Sequence, residues 1–198
     1  MKFRFAAITL CVLMTIIFVL QNMFDITNQL LLTKDVWNAP WTLVSSVFIH
    51  GSMGHLLGNI FALGLFGSIL ERIEGTKKFL ILFFVSGIVT GITSSFFYDA
   101  ALGASGAIFG VLGMLAAIRP KMIVWTYGVP MPMFVAAGFW LVLDIAGTFY
   151  PTNIANLAHI SGLIFGIVVG ITQRKPHAKE KKPLADEDID EWENQWMS

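Results

Sequence analysis

Four of the polar side chains within the long apolar stretches of this sequence stand out, because together they could carry out nucleophilic hydrolysis. His55 and Asn59 lie in one stretch, Ser105 in a second and His159 in a third. A serine hydroxyl is a weak nucleophile until a base removes its proton, and a neutral imidazole can do so near pH 7. We therefore interpret Ser105 as a candidate nucleophile and His159 as its candidate base.

Attack on an amide carbonyl would also create an oxyanion, which needs hydrogen-bond donors. The candidate donors are the Ser105 backbone N–H, the Asn59 amide and the His55 ring, and the spacing of four residues places the last two on one helix face. Asp144 could orient His159, but it lies near a predicted helix end that water can reach. We therefore expect Asp144 to be interfacial or structural and the catalytic unit to be a Ser–His dyad.

The composition indicates that most of the chain lies in a lipid bilayer. Of its 198 residues, 56% are apolar and 13% are charged, whereas a soluble domain carries about 25% charged residues. The mean hydropathy is +0.71. The net charge of zero gives no electrostatic signal for a nucleic-acid partner, and the single cysteine, Cys11, excludes an internal disulfide framework. Nothing in the composition implies a cofactor.

Six apolar runs predict six membrane-spanning helices, because about 20 residues cross the hydrocarbon region. Twelve of the 13 Lys and Arg residues fall on one side of this arrangement and only Lys34 on the other, which predicts that both termini are cytoplasmic. No small-residue cleavage site follows the first run, so we expect an uncleaved helix rather than a signal peptide. Residues 1–172 form the predicted membrane domain and 173–198 a charged cytoplasmic tail. The predicted spans are 5–24, 54–74, 78–97, 104–118, 123–148 and 154–172.

The fourth run is short, and this predicts a cavity. A helix over 105–118 rises only about 21 Å at 1.5 Å per residue, which leaves roughly 10 Å of the hydrocarbon thickness uncovered. Tyr98–Ala104 must then be irregular backbone within the membrane, which is tolerated only where it lines protein or a water-filled cavity. Because Arg119 and Lys121 mark the inner end of the helix, we expect the cavity and Ser105 to open to the outer face.

Small residues predict how two of these helices meet. The fourth and sixth runs each carry glycines every three or four residues, which allows two helix backbones to approach closely. Packing the two stripes together would bring Ser105 and His159 within hydrogen-bond reach. The alternative is plain helix packing, with Ser105 bonded to its own helix. The glycines are Gly106, Gly110, Gly113, Gly162, Gly166 and Gly170.

The motifs around these residues resemble those of the rhomboid proteases. They occur in that family's order and on the expected spans, and the likeness covers about residues 5–172. The matching segments are His50-x4-His55-x3-Asn59, Glu71-x3-Gly75, Gly103-Ala104-Ser105-Gly106, Ala158-His159-Ile160-Ser161-Gly162 and Gly162-x3-Gly166.

The resemblance implies an all-α, polytopic membrane protein with a six-helix rhomboid-like bundle and a short fourth helix. It implies an intramembrane serine endopeptidase in which Ser105 is the nucleophile, His159 the base, and His55 and Asn59 line the oxyanion hole. The implied substrates are single-span membrane proteins with helix-destabilising residues near the cut. The resemblance also implies a structural role for His50 and a lateral gate at the fifth span.

The sequence departs from the family pattern at two places. Trp41-Thr42 stands where many members have Trp-Arg, which affects how the outer loop is anchored. Phe109 stands where many members have Tyr. An aromatic ring at this position can still stack on His159, but a hydroxyl contact is lost.

Three other functions fit parts of the sequence. His50, His55 and His159 could hold zinc, but a spacing of five does not align the first two on a helix face and no Glu stands beside them, so we expect no metal. A catalytically inactive rhomboid-like chaperone or trafficking protein would share the fold, although such relatives usually lack the Ser or the His. A channel or small transporter is disfavoured because the sequence has no ring of charges and no broken helix pair at mid-membrane.

Overall fold

The computed structural model describes residues 4–150 and 154–173, and this part of the chain is mostly helical. The predicted charged tail, 173–198, lies outside the described residues except for its first residue. Two small sheets, which the sequence analysis did not predict, lie between the helices. The longer helices are α1 (Ala6–Met23), α2 (Met53–Glu74), α3 (Thr76–Phe97), α4 (Ser105–Ile118), α5 (Met133–Gly147) and α6 (Asn156–Thr172).

Three of the described helices, α1, α2 and α3, are long and apolar enough to cross a bilayer. Helices α4, α5 and α6 are apolar but shorter, with 14, 15 and 17 residues. Large apolar side chains are exposed on the outside of the bundle, as on α2, where Phe61 is 70% exposed. Such a surface suits a hydrocarbon environment, in which apolar groups need no cover.

The predicted fifth span, 123–148, is wrong in its first ten residues. Strands β3 (Ile123–Thr126) and β4 (Val129–Pro132) form an antiparallel hairpin there, and α5 begins only at Met133. The hairpin follows α4 and therefore lies at the end of that helix farthest from Ser105.

The chain forms a hairpin here because its turn and its prolines oppose a helix. Tyr127 and Gly128 form the two-residue turn with φ of 51° and 80°, and positive φ at both positions is the signature of a type I′ hairpin turn. Pro130 and Pro132 lack a backbone N–H, and proline inside a helix clashes with the preceding turn. The apolar run therefore continues as strands until the second proline has passed.

The segment before Ser105 is held by the outer loop. Strand β1 (Leu32–Thr33) pairs antiparallel with β2 (Ala100–Ala101), and the N–H of Gly103 donates to the carbonyl of Ser46 at 2.8 Å. The prediction that Tyr98–Ala104 is not helical is confirmed. These bonds satisfy backbone groups that lie between two apolar helices, and they fix the chain that leads into α4.

Helix α4 is buried along most of its length, and its glycines bring it against α6. A Cβ placed on Gly166 would meet the carbonyl oxygen of Gly110, and one on Gly113 would meet the carbonyl oxygen of Leu163. No side chain larger than hydrogen fits at such contacts. The predicted packing of the two glycine stripes is confirmed.

A buried carboxylate at the end of α2 organises the start of α1. The side chain of Glu71 is fully buried and accepts hydrogen bonds from the backbone N–H groups of Arg4, Ala6 and Ala7 at 3.1–3.2 Å. The Thr76 hydroxyl donates to the same carboxylate at 2.6 Å. The first N–H groups of a helix have no partner within it, so Glu71 caps α1 from a distant part of the chain.

Candidate active site

Ser105 and His159 meet where α4 and α6 begin. Ser105 is the first residue of α4 and His159 lies in the first turn of α6. The Oγ of Ser105 is 2.7 Å from the Nε2 of His159, so the predicted contact between the two side chains is confirmed. The glycine contacts described above hold the two helices close enough for so short a distance.

Asp144 completes a chain of three hydrogen-bonded side chains. Its Oδ1 is 2.9 Å from the Nδ1 of His159, and the residue is only 7% exposed. The expectation that water reaches Asp144 is wrong, because α5 turns this residue toward α6 rather than toward the end of the bundle. A carboxylate that accepts from Nδ1 leaves the lone pair of Nε2 directed at the serine hydroxyl.

Phe109 holds the plane of the His159 ring. It lies one helical turn after Ser105, and its ring stacks on the imidazole with a centroid distance of 4.3 Å and an interplanar angle of 9°. The prediction that an aromatic ring stacks on His159 at this position is confirmed. The stacking leaves both nitrogens of the imidazole free to form hydrogen bonds. It also resists rotation of the ring away from Ser105 and Asp144.

The candidate oxyanion residues lie in the same cavity as the serine. His55, Asn59 and Ser105 all line a cavity of about 550 Å³. The Nδ2 of Asn59 donates to the carbonyl of His55 at 2.8 Å, so one amide hydrogen bonds its own helix and the second can serve elsewhere. Gly103, with φ of 103°, lies against His55, and a Cβ there would approach the ring within 2.6 Å. Glycine is therefore required beside His55.

His50 is buried behind this cavity. Its ring meets the His55 ring edge to face at 5.1 Å, and burial, followed by the nearby His55, lowers the pKa of His50 to about 4. Its imidazole is therefore neutral at neutral pH. Gln21 on α1 bonds both the backbone N–H and the carbonyl of His50, at 3.0 and 2.6 Å. Within the described residues, no group of three His, Cys, Asp or Glu side chains could hold a metal ion.

Two positioning contacts escaped the sequence analysis. The backbone N–H of Leu157 donates to the Tyr98 hydroxyl at 2.9 Å, which ties the segment before Ser105 to the start of α6. Gln21 ties α1 to the loop that carries His50. The polar pair Gln21-Asn22 near the end of the first apolar run was the available signal for Gln21, whereas nothing local marks Tyr98.

Apolar helices that enclose a Ser–His–Asp chain of hydrogen bonds define an integral membrane protein with the side chains of a serine hydrolase. Residues 38–176 match the family model described as the Rhomboid domain. The chain belongs to the rhomboid family.

Named relatives agree with this assignment. The chain is 32% identical over 160 residues to the rhomboid protease GluP of Bacillus subtilis (strain 168). The aligned region is 78% of this chain and 30% of the relative. It is 31% identical over 136 residues to the rhomboid protease GlpG of Haemophilus influenzae, covering 68% of the chain and 70% of the relative. For the rhomboid protease GlpG of Yersinia pseudotuberculosis serotype I, identity is 30% over 143 residues, 70% of the chain and half of the relative.

Proposed function

We propose that this protein is an intramembrane serine endopeptidase that hydrolyses peptide bonds in or near the transmembrane segments of other membrane proteins. The observation that carries the proposal is the hydrogen-bonded series from Ser105 through His159 to Asp144. Membership of the rhomboid family and relatives named rhomboid proteases support it.

In the proposed reaction, the Ser105 hydroxyl attacks the scissile carbonyl as His159 removes its proton. The resulting imidazolium returns this proton to the leaving amine, the C–N bond breaks, and an acyl-enzyme ester remains on Ser105. Water from the cavity then attacks the ester, again with His159 as base, and releases the new carboxyl end. Asp144 keeps the proton of the imidazole on Nδ1 and stabilises the imidazolium, which extends the expected dyad by a third member.

The oxyanion formed in each step would lie at the N-terminal end of α4. The free N–H of Ser105 and the positive end of the helix dipole favour negative charge there. The second amide hydrogen of Asn59 and the His55 ring are the further proposed donors, since both line the cavity beside Ser105. Loss of one such donor typically lowers turnover about 10²–10³-fold.

The proposed arrangement in the membrane has six spans, a membrane domain over 1–172 and both termini in the cytoplasm. The distribution of Lys and Arg supports it. The Ser105 end of the cavity then opens to the outer face, from which water reaches the acyl-enzyme. The proposed substrates are single-span membrane proteins.

Ser105→Ala and His159→Ala test the proposal in vesicles that contain a single-span substrate. We expect each change to lower cleavage by at least about 10⁴-fold with an unchanged thermal midpoint. A fluorophosphonate should label the wild-type protein but not the Ser105→Ala variant, and a chelator should leave cleavage intact. Full turnover by the Ser105→Ala variant would refute the mechanism, and loss of activity with the chelator would favour the metal alternative.

A further inference from the structure

The β3–β4 hairpin presents aromatic side chains to the same cavity that contains Ser105. Trp125 and Tyr127 are 69% and 79% exposed, and the segment Trp125–Tyr127 lines this cavity. The Tyr127 ring and the Phe139 ring of α5 form an edge-to-face contact with a centroid distance of 5.8 Å. The tip of the hairpin is therefore fixed against α5, and its aromatic side chains are held at the cavity wall.

The cavity is a groove lined mainly by α2 and α4, with Trp140 as its lining residue on α5. On α2 its wall runs from Gly54 to Phe66, and on α4 it runs from Ser105 to Leu112. Twelve residues of helix separate Gly54 from Phe66, which corresponds to about 18 Å at 1.5 Å per residue. Strand β3 begins five residues after α4 ends, so Trp125–Tyr127 enter the groove from the end that lies farthest from Ser105.

A polar group without a partner also lines this far end. Thr126 is 4% exposed, and its hydroxyl finds no hydrogen-bond partner among the described residues. A buried hydroxyl that lacks a partner is unfavourable in an apolar setting. Because this hydroxyl is covered while the groove is empty, a peptide segment in the groove could supply the missing partner once the Thr126 side chain rotates, whereas a bare hydrocarbon chain could not.

We propose that the hairpin segment Trp125–Tyr127 is a binding subsite for the part of a substrate's membrane-spanning segment that lies about 8–12 residues from the scissile bond. The inference rests on the proposed function and adds a second point of recognition to it. A groove of about 18 Å holds about 12 residues of helix, or about five residues of extended chain. An apolar helix cut at Ser105 thus reaches the hairpin with its far end.

Trp125→Ala tests this subsite, with Ile123→Ala as the matched control. Ile123 lies on the same hairpin and is 59% exposed, but it does not line the groove. Each variant would be assayed in vesicles on a substrate with a complete membrane-spanning segment, and on a shortened peptide that ends about four residues after the same cut. We expect Trp125→Ala to lower kcat/KM roughly tenfold for the complete substrate, mainly through KM, and to leave the peptide unchanged.

The control separates this inference from a failure of the proposed function. Fluorophosphonate labelling of Ser105 should proceed at the same rate in wild type, Trp125→Ala and Ile123→Ala. If the wild type is not labelled, the proposed function fails. If labelling is normal, two outcomes refute the subsite. One is that Trp125→Ala slows cleavage of the complete substrate and of the peptide equally, and the other is that it slows cleavage no more than Ile123→Ala does. In either case the hairpin only anchors the protein.

Crosslinking tests the same subsite with the hairpin unchanged, so the result does not depend on whether a hairpin variant folds. In the Ser105→Ala protein, a photoreactive side chain 8–12 residues from the cut should crosslink to residues 125–127. The same group placed four residues from the cut should crosslink to α2 or α4 instead. Crosslinks to the hairpin from both positions, or from neither, would contradict the proposed length of the groove.

Discussion

Two helix pairs around the candidate active site are packed in different ways. Helices α4 and α6 touch through their backbones, where a Cβ on Gly166 would meet the carbonyl of Gly110. Helices α2 and α5 face each other across the groove, and Phe66 and Trp140 bridge them with an edge-to-face contact at 5.9 Å. The outer face of α5 is exposed, as for Val142 at 62%.

This difference separates two requirements of the proposed reaction. A hydrogen bond of 2.7 Å between side chains on two helices tolerates little movement, because misplacement of about 1 Å can cost about 10²-fold in rate. A substrate segment, in contrast, needs space to enter between helices. Tight packing at α4–α6 meets the first requirement, and side-chain contacts that can be rearranged at α2–α5 meet the second.

The largest effect is expected from Asp144→Asn, which would show that α5 contributes to the chemistry as well as to the groove. An amide facing Nδ1 favours the tautomer with the proton on Nε2, and that nitrogen then cannot accept the serine proton. We expect kcat to fall about 10²–10⁴-fold with KM little changed, in a steady-state cleavage assay. A change in KM alone, or a matching loss of thermal stability, would indicate a purely structural role.

Gly166→Ala probes the tight pair directly. The added methyl group collides with the Gly110 carbonyl, so we expect a loss of about 1–3 kcal/mol in the free energy of unfolding, together with reduced cleavage. Gly138→Ala on α5 is the matched control, because a Cβ at Gly138 meets nothing within 4 Å. Equal losses in the two variants would show that α4–α6 is not the more tightly packed pair.

A smaller effect is expected from Phe66→Leu on the groove side. The change removes the aromatic contact with Trp140 but keeps most of the apolar volume, so we expect a loss of about 0.5–1.5 kcal/mol in unfolding free energy. Denaturation in detergent micelles would measure it, with Phe61→Leu as the exposed control. A loss larger than that of Gly166→Ala would overturn the contrast between the two pairs.

The smallest effect is expected from Asp99→Asn, which removes an ion pair outside both helix pairs. Lys34 and Asp99 lie 2.6 Å apart with exposed side chains, and the hydrogen bond from Lys34 lowers the pKa of Asp99 below its usual value. Any stabilisation is therefore complete above the usual Asp pKa of about 3.9 and is lost as the pH falls below it. Melting curves at pH 7 should barely differ from wild type, and a large loss of stability or cleavage there would show that the pair anchors the segment before Ser105.

The sequence allowed Ser105 and His159 to be paired because the signals are local and redundant. Glycines at helical spacing predict close packing, and each candidate catalytic residue lies at the start of such a stripe. The partner of Nδ1 could not be found in the same way. Whether Asp144 faces into the bundle depends on where α5 lies relative to α6. The predicted span began at residue 123, whereas the helix begins at Met133.

The hairpin was missed for a different reason. Residues 123–126 are too few and too apolar for a period of two to be told from a helix, so they were joined to the following helix. Pro130 and Pro132 were the available signals against this. The long-range partners of Gln21 and Tyr98 leave no local pattern, because each depends on how separate parts of the chain come together in space.

The capping of α1 by Glu71 has a consequence for how the chain assembles. The N–H groups of Arg4, Ala6 and Ala7 are bonded by a residue that follows them by 64 to 67 positions, and unsatisfied backbone groups are costly away from water. Helix α1 therefore cannot reach its final bonded state until α2, which follows it in the chain, has been synthesised.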